Sequence, residues 1–302
     1  MALDMVLDAT AAKSIEFVDE TTFGTFPTNP TMLGFGGYVT KASIKETTVT
    51  EKIPYLLDAS GTNHLQATKT VKVSEAFEVS LEIHPTDWSM LPRALMAASS
   101  STYAIGDTAY PISFGENVGG EYQTITGGQI SKYECTIEKD KTIVQTLTVP
   151  CIAVSGFTTT YIGTGSYAAA PSGTALKYGD LSSITYDSSG VSSEEAFLDS
   201  VKWGIDYSLS PIADLSSSVN SNIGSWAASP RNIYLECEFT PEAMNLAADM
   251  LGGTAHTLVF TVGGKTFTFS NIIWEGDWDQ TLTKDDVLGM AFKASNVDLA
   301  IA

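Results

Sequence analysis

The sequence predicts a mainly β protein built as two tandem β-sandwich or barrel-like domains, each with one short α-helix, related by internal duplication. Three correspondences in one order along the chain carry this expectation. The stretch Asn271 to Ala294, a strand, a turn and a strand, repeats the earlier stretch Gln129 to Val149, pairing Tyr133 with Trp278, Glu134 with Asp279, Lys139 with Lys284, Asp140 with Asp285 and Leu147 with Phe292. The alternating run Phe77, Val79, Leu81, Ile83 leading into Pro85 matches Ile233, Leu235, Cys237, Phe239 leading into Pro241, and Gly119-Gly120 matches Gly263-Gly264. A repeat of this length bounds the architecture before any single element is assigned.

The repeat divides the 302 residues into an N-terminal arm (1–30), a first domain (31–154), a linker (155–179) and a second domain (180–302). The arm lacks sustained periodicity and ends in the turn-rich Phe23, Gly24, Thr25, Phe26, Pro27, so it is expected to be extended and to dock on a neighbour. Tyr38 to Val49 is β-branched and Thr-rich, and a polar loop follows through Asp58, Gly61 and Gln66. From Val71 to Ile83 apolar and polar residues alternate, the pattern of a half-buried antiparallel strand. After Pro85, Trp88, Leu91, Leu95 and Ala98 recur at helical spacing, and Pro92 should shorten or kink that helix. Tyr110 to Thr126 forms a hairpin about Gly119-Gly120, and Ile130 to Val149 gives two strands joined at Lys139-Asp140.

Ser155 to Gly179 is rich in Gly, Ser, Thr and Ala and has little apolar surface to bury, which is linker composition. The second domain follows the same plan. Phe197 to Leu209 is its first long strand, Asp214 to Ala228 its polar loop, and Ile233 to Phe239 its alternating strand. Thr240 then caps a helix begun by Pro241 and Glu242 and closed by Gly252-Gly253. Leu258 to Val262 and Lys265 to Phe269 form a hairpin whose Gly263-Gly264 turn suits the positive backbone angles of type I′. In the last unit Ile272, Trp274 and Trp278 share one face, Glu275, Asp277 and Asp279 the other, and Leu288, Met290, Phe292 and Ala294 complete the apolar stripe.

Composition excludes several classes of function. The formal charge of −19 arises from 16 Lys plus Arg against 35 acids, so sequence-independent binding to phosphate backbones is disfavoured. No run approaches the roughly 20 apolar residues of a membrane span, and no basic residue precedes Lys13, the wrong start for a secretory signal. Cys135, Cys151 and Cys237 have no C-x-x-C spacing and read as buried thiols rather than a disulfide frame or metal site.

Catalytic patterns are equally scarce. The histidines His64, His84 and His256 lie in a polar loop, at a helix start and at a hairpin start, and no G-x-S-x-G elbow, H-E-x-x-H or Walker loop occurs. Asp187 with Ser189, Gly190, Glu194 and Glu195 fails calcium-loop spacing. Glu275, Asp277 and Asp279 could form an acid–base pair or cation site, but a solvated strand face explains them as well. Neither an enzyme nor a cofactor or metal is expected. A strand-rich chain without an active site must still cover or pair its sheet edges, which points to assembly.

At this level the chain resembles the tail tube, or major tail, proteins of long-tailed phages. The likeness rests on Glu20-Thr21-Thr22-Phe23-Gly24-Thr25-Phe26-Pro27, on the strand pair with its polar loop from Tyr38 to Ile83, on the strand-Pro-helix step, and on the Gly-turn hairpin with its closing strands. The resemblance implies a structural virion subunit, assembled in the host cytoplasm, that self-associates into stacked rings around a lumen. A fused duplicate would give trimeric, pseudo-hexameric rings. It implies tape-measure, tail-terminator or baseplate proteins as further partners, and DNA that passes through without specific binding. On that basis Glu275, Asp277, Asp279 and Glu134 are lumen-facing candidates, since an acidic wall repels phosphate. Phe23, Gly24, Phe26 and Pro27 are candidates for the assembly arm. The alternative of another class is a non-catalytic carbohydrate- or receptor-binding β-sandwich of a virion fibre or surface layer, which would present an aromatic platform.

Overall fold

The structure, a computed structural model, describes residues 13–55, 67–97, 103–104, 106, 110–163, 168–187, 189–190, 198–213, 223–228, 231–239, 253–275 and 290–302. In the first half these form β1 (Lys13–Asp19), β2 (Gly37–Tyr55), β3 (Ala67–Pro85), α1 (Leu91–Ala94), β4 (Tyr103–Ala104), β5 (Ile112–Val118), β6 (Glu121–Gly128), β7 (Lys132–Glu138), β8 (Val144–Cys151) and β9 (Ala153–Val154). In the second they form β10 (Leu181–Tyr186), β11 (Ser189–Gly190), β12 (Leu198–Asp206), β13 (Leu209–Ala213), β14 (Ile223–Ala228), β15 (Asn232–Phe239), β16 (His256–Val262), β17 (Lys265–Ile272), β18 (Met290–Ser295) and β19 (Asp298–Ile301). The chain is mainly β, with antiparallel sheets packed face to face as in a sandwich.

Among the described residues the strand orders of the two halves run in parallel over much of their length. One small sheet runs β1-β5-β6-β9, and the core of its counterpart runs β10-β16-β17-β19. The large seven-stranded sheet reads β2-β3-β8-β7 and continues β12-β15-β18, beside which Glu275 bridges Lys293. Register agrees for several strand pairs but not throughout: Glu275 stands opposite Lys293 where Lys132 stands opposite Thr148, two residues off the ungapped pairing of Tyr133 with Trp278. Leu81 pairs with Leu147 and Val79 with Val149; their sequence counterparts Cys237 and Leu235 pair with Phe292 and Ala294. In the small sheets Ile125 lies opposite Val154 as Phe269 lies opposite Leu299. Both glycine pairs make the hairpin turn with positive φ at both residues, 65° and 89° at Gly119 and Gly120, 56° and 75° at Gly263 and Gly264.

The halves meet along β7 and β12, which pair antiparallel from Ser200 opposite Glu138 to Asp206 opposite Lys132. Alternation in these strands sends Tyr133, Cys135, Ile137, Val201, Trp203 and Ile205 into the interior, all 0% exposed. Trp203 packs on Tyr133 beside it and on Phe267 and Phe269 of the facing sheet, with ring centroids 5.2, 5.6 and 6.0 Å away. One buried cluster therefore spans both halves. Trp88 of the first half adds to it, stacking edge-on against Phe267 and donating Nε1–H to the Val262 carbonyl at 3.1 Å.

Several expectations need correction. Residues 13–19 are not part of an extended arm: Ile15 and Phe17 alternate with Ser14 and Glu16, and β1 pairs with β5 while Phe17 is 1% exposed. The first helix is a single turn, short as expected, but Pro92 sits in its first turn, where a missing N–H is tolerated, and the chain leaves the helix just beyond, where Met96 takes a left-handed φ of 50°. Part of the stretch expected as a polar loop, 223–228, is β14, paired with β13. The linker has little regular structure but lies down on the first half, where Leu176 donates its N–H to Pro85 and accepts one from Ile143. The second helix, expected from Pro241, lies outside the described residues.

Candidate functional site

The feature that most distinguishes this fold is the outer, polar face of the large sheet together with its two edges. Pleating that buries Tyr133 and Trp203 turns Glu134, Thr136, Lys202 and Gly204 outward. One row across this face runs Lys41, Glu82, Thr146, Glu134, Gly204, Tyr234, Ser295. A neighbouring row runs Thr136, Lys202, Glu236, Lys293, Glu275. Among the described residues of this face, lysines stand beside acids.

At the seam the charges are tied together. The Glu134 carboxylate accepts the Tyr234 hydroxyl at 2.6 Å and lies 3.3 Å from the Lys202 ammonium and 3.4 Å from that of Lys132. Burial raises its pKa, but the Tyr234 hydrogen bond and the two lysines outweigh that and leave the carboxyl below its usual range. Tyr234 is held protonated for the complementary reasons, burial first and then the neighbouring carboxylate. The bridge is possible because residue 204 is glycine: a Cβ there would meet the Tyr234 hydroxyl at 2.4 Å and the Tyr133 carbonyl at 2.7 Å. Lys293 reaches Glu236 at 3.1 Å on the same face.

Among the described residues β2 has a strand on one side only, and so does the ladder that ends at Glu275. Glu275 and Lys293 exchange backbone hydrogen bonds of 2.6 and 3.1 Å. Of the lumen-facing candidates, Glu134 and Glu275 thus share one sheet face, one at the seam and one at the edge. Asp277 and Asp279 lie outside the described residues. Ile272 and Trp274 are buried, as their parity predicts, and Trp274 donates to the Tyr186 hydroxyl at 3.2 Å.

The arm candidates Phe23, Gly24, Phe26 and Pro27 are partly buried on their own chain. Glu20 fixes that turn, accepting the Gly24 N–H at 2.6 Å, the Gly127 N–H at 2.7 Å and the Ser113 hydroxyl. Burial pushes the Glu20 carboxyl above its usual range despite these donors. Glu16 is likewise raised by burial while it accepts from the Ala168 N–H and Tyr161 hydroxyl, which anchors the linker to β1.

The histidines among the described residues each have hydrogen-bond partners. His256, 5% exposed, contacts Asp187 through Nδ1 at 2.7 Å and the Thr254 hydroxyl through Nε2 at 3.3 Å, and its ring stacks on Tyr186. Asp187 also accepts the Thr257 N–H at 2.8 Å, which ties the end of β10 to the start of β16. His84 meets the Thr142 hydroxyl at 2.8 Å, on the strand rather than at a helix start. Among the described residues no group of His, Cys, Asp or Glu could hold a metal ion, and no helix is long and apolar enough to cross a membrane. Exposed aromatic rings are few there: Tyr38 on β2, whose hydroxyl donates to Gly173, and Phe157 beyond β9.

Sequence reasoning missed Gly204 and Tyr234, since neither breaks the pattern of its own strand. The usable signal was Lys202 and Glu236, charged residues at the outward parity of strands that adjoin. No family model matches the chain, and no curated protein is significantly similar to it.

Proposed function

We propose that this protein is a structural subunit of the phage tail tube kind, an internally duplicated chain whose large sheets join head to tail into rings that stack around a lumen. The observation that carries this reading is the repeat of order and register within the seven-stranded sheet. Its first half presents β2 at one end and β7 at the other, and β7 is covered by β12, the second half's counterpart of β2. The interior seam is thus a template for joining one copy to the next: the Glu275 edge on the β2 edge of a second chain. Pairing in this way covers both edges that have no further strand among the described residues, and open edges invite uncontrolled association. A heterologous contact that repeats around an axis closes into a ring. Three doubled chains would make a pseudo-hexamer.

The polar face of the sheet would line the lumen in this arrangement. With Lys132, Lys202 and Lys293 paired to carboxylates at Glu134 and Glu236, the middle of this face offers little to phosphate. DNA would pass without specific binding, and no catalysis or cofactor is invoked. Tape-measure, terminator or baseplate proteins would be the further partners, and the virion tail the location. Negative-stain electron microscopy of the purified chain, dilute and concentrated, tests the proposal. Hollow rings or tubes wide enough for duplex DNA are expected; uniform single particles at every concentration would refute it.

A further inference from the structure

Resting on that reading, the interior seam also yields the residues that would recognise a second copy. Lys132 of β7 lies opposite both Thr148 of β8 and Asp206 of β12. Glu275 holds the place of Lys132, because it bridges Lys293, the counterpart of Thr148. On the receiving edge Ile44 lies opposite Val79 as Trp203 lies opposite Leu235. Counting three residues on from each makes Thr47 the counterpart of Asp206. A second copy docked in the register of the seam therefore sets its Glu275 opposite Thr47. That position is diagonal to Lys45, at the ~7–8 Å spacing that long side chains span.

The two edges are complementary in charge. The outward positions of β2 are Lys41, Ser43, Lys45 and Thr47, all exposed. The opposite edge presents exposed Glu275, and the sequence places Asp277 and Asp279 at the same parity, outside the described residues. The interior seam has glycine, Gly204, where this edge has Lys45, since Tyr234 already supplies its bridge there. On this strand Lys45 has Glu78 beside it and, among the described residues, no strand on its other side, where an acid from a second copy would flank it. We infer that Lys45, supported by Lys41, and Glu275 are the specificity determinants of a head-to-tail contact between two copies of this chain, a basic strand edge receiving an acidic one.

The test is sedimentation velocity across a concentration series on the full chain, comparing wild type with Lys45→Glu, Glu275→Lys and the double exchange. Each single reversal sets like charges across the contact and should raise the concentration of half-association about tenfold. The double exchange should return it to within about threefold of wild type, and salt should weaken the wild-type contact. Circular dichroism checks that each variant is folded, and Lys45→Gln replaces the reversal if it is not. Single variants that associate like wild type, or a double exchange no better than the singles, overturn the assignment of these residues and leave the ring reading standing on the wild type. A wild type that remains monomeric throughout overturns both.

Discussion

Tyr234 reaches across Gly204 to Glu134, so a side chain of β15 closes on one of β7 over the bare backbone of the strand between them. The 2.6 Å bond joins the two halves on the outer face while Trp203 joins them within. Gly204→Ala puts a methyl against both the Tyr234 hydroxyl and the Tyr133 carbonyl, and the carbonyl belongs to backbone that cannot swing aside. A loss of about 1–3 kcal/mol is expected in denaturant unfolding. Tyr234→Phe, which removes only the hydroxyl, should cost about 1–2 kcal/mol.

Trp203 is the largest fully buried side chain among the described residues, enclosed by Tyr133, Phe267 and Phe269. Trp203→Ala leaves a cavity lined by rings from both sheets and should cost about 3–5 kcal/mol. Because that cluster spans the seam, the whole chain should unfold at the lower midpoint in chemical denaturation. Loss of one half alone would show that the halves are energetically independent.

Two carboxylates give opposite dependences on pH. Glu20 is raised in the folded state by burial, so the native chain binds the proton more tightly. Its contribution to stability is present below the unfolded value near 4.5 and is lost as pH rises through the folded value. Glu134 is lowered, so its contribution is present above the unfolded value and is lost as pH falls through the folded one. Unfolding free energies measured across the acid range should show Glu134→Gln removing acid-side loss. Glu20→Gln should remove the opposing slope while costing about 1–3 kcal/mol, since an amide cannot accept from every donor around it.

Arg93 of α1 holds Asp19 at the end of β1 through Nε and Nη2, at 2.6 and 2.5 Å, with its guanidinium 4.8 Å from the Phe17 ring centroid. Arg93→Lys keeps the charge but loses the fork and the flat contact on the ring. A loss of about 1 kcal/mol is expected, read as a lower thermal midpoint that added salt reduces only in part.

Cys135, Cys151 and Cys237 are unpaired and buried, and burial holds each thiol well above its ordinary pKa. Native protein should therefore resist a thiol reagent such as Ellman's until denaturant is added, when all three should react. Rapid labelling of the native chain would contradict the packing around the seam.

Local chemistry made much of this fold legible. The glycine pairs specify their turns because few other residues adopt two successive positive φ angles, and alternation in Phe77–Ile83 and Ile233–Phe239 specifies which side chains go inside. Strand β1 escaped because its alternation is short and adjoins a segment of turn residues; only pairing with β5 makes it a strand. The strand in 223–228 escaped because Ser and Ala there carry little pattern, and its partner β13 supplies the order. The seam itself was illegible. Which strand of one half lies beside which of the other depends on packing around Trp203 and on contact across sixty residues, such as Lys139 with Asp199 at 3.2 Å, and no local signal encodes it.

The β7–β12 ladder also has a mechanical meaning. Its seven residue pairs, Ser200 to Asp206 against Glu138 to Lys132, stand side by side along the strand direction. A pull along the strands loads every pair at once, whereas a pull across them loads only the endmost pair and then the next. The joined halves should be stiff toward tension along the strands and compliant toward peeling, with Trp88, hydrogen-bonded to Val262 on the facing sheet, as the bolt that a peel must draw.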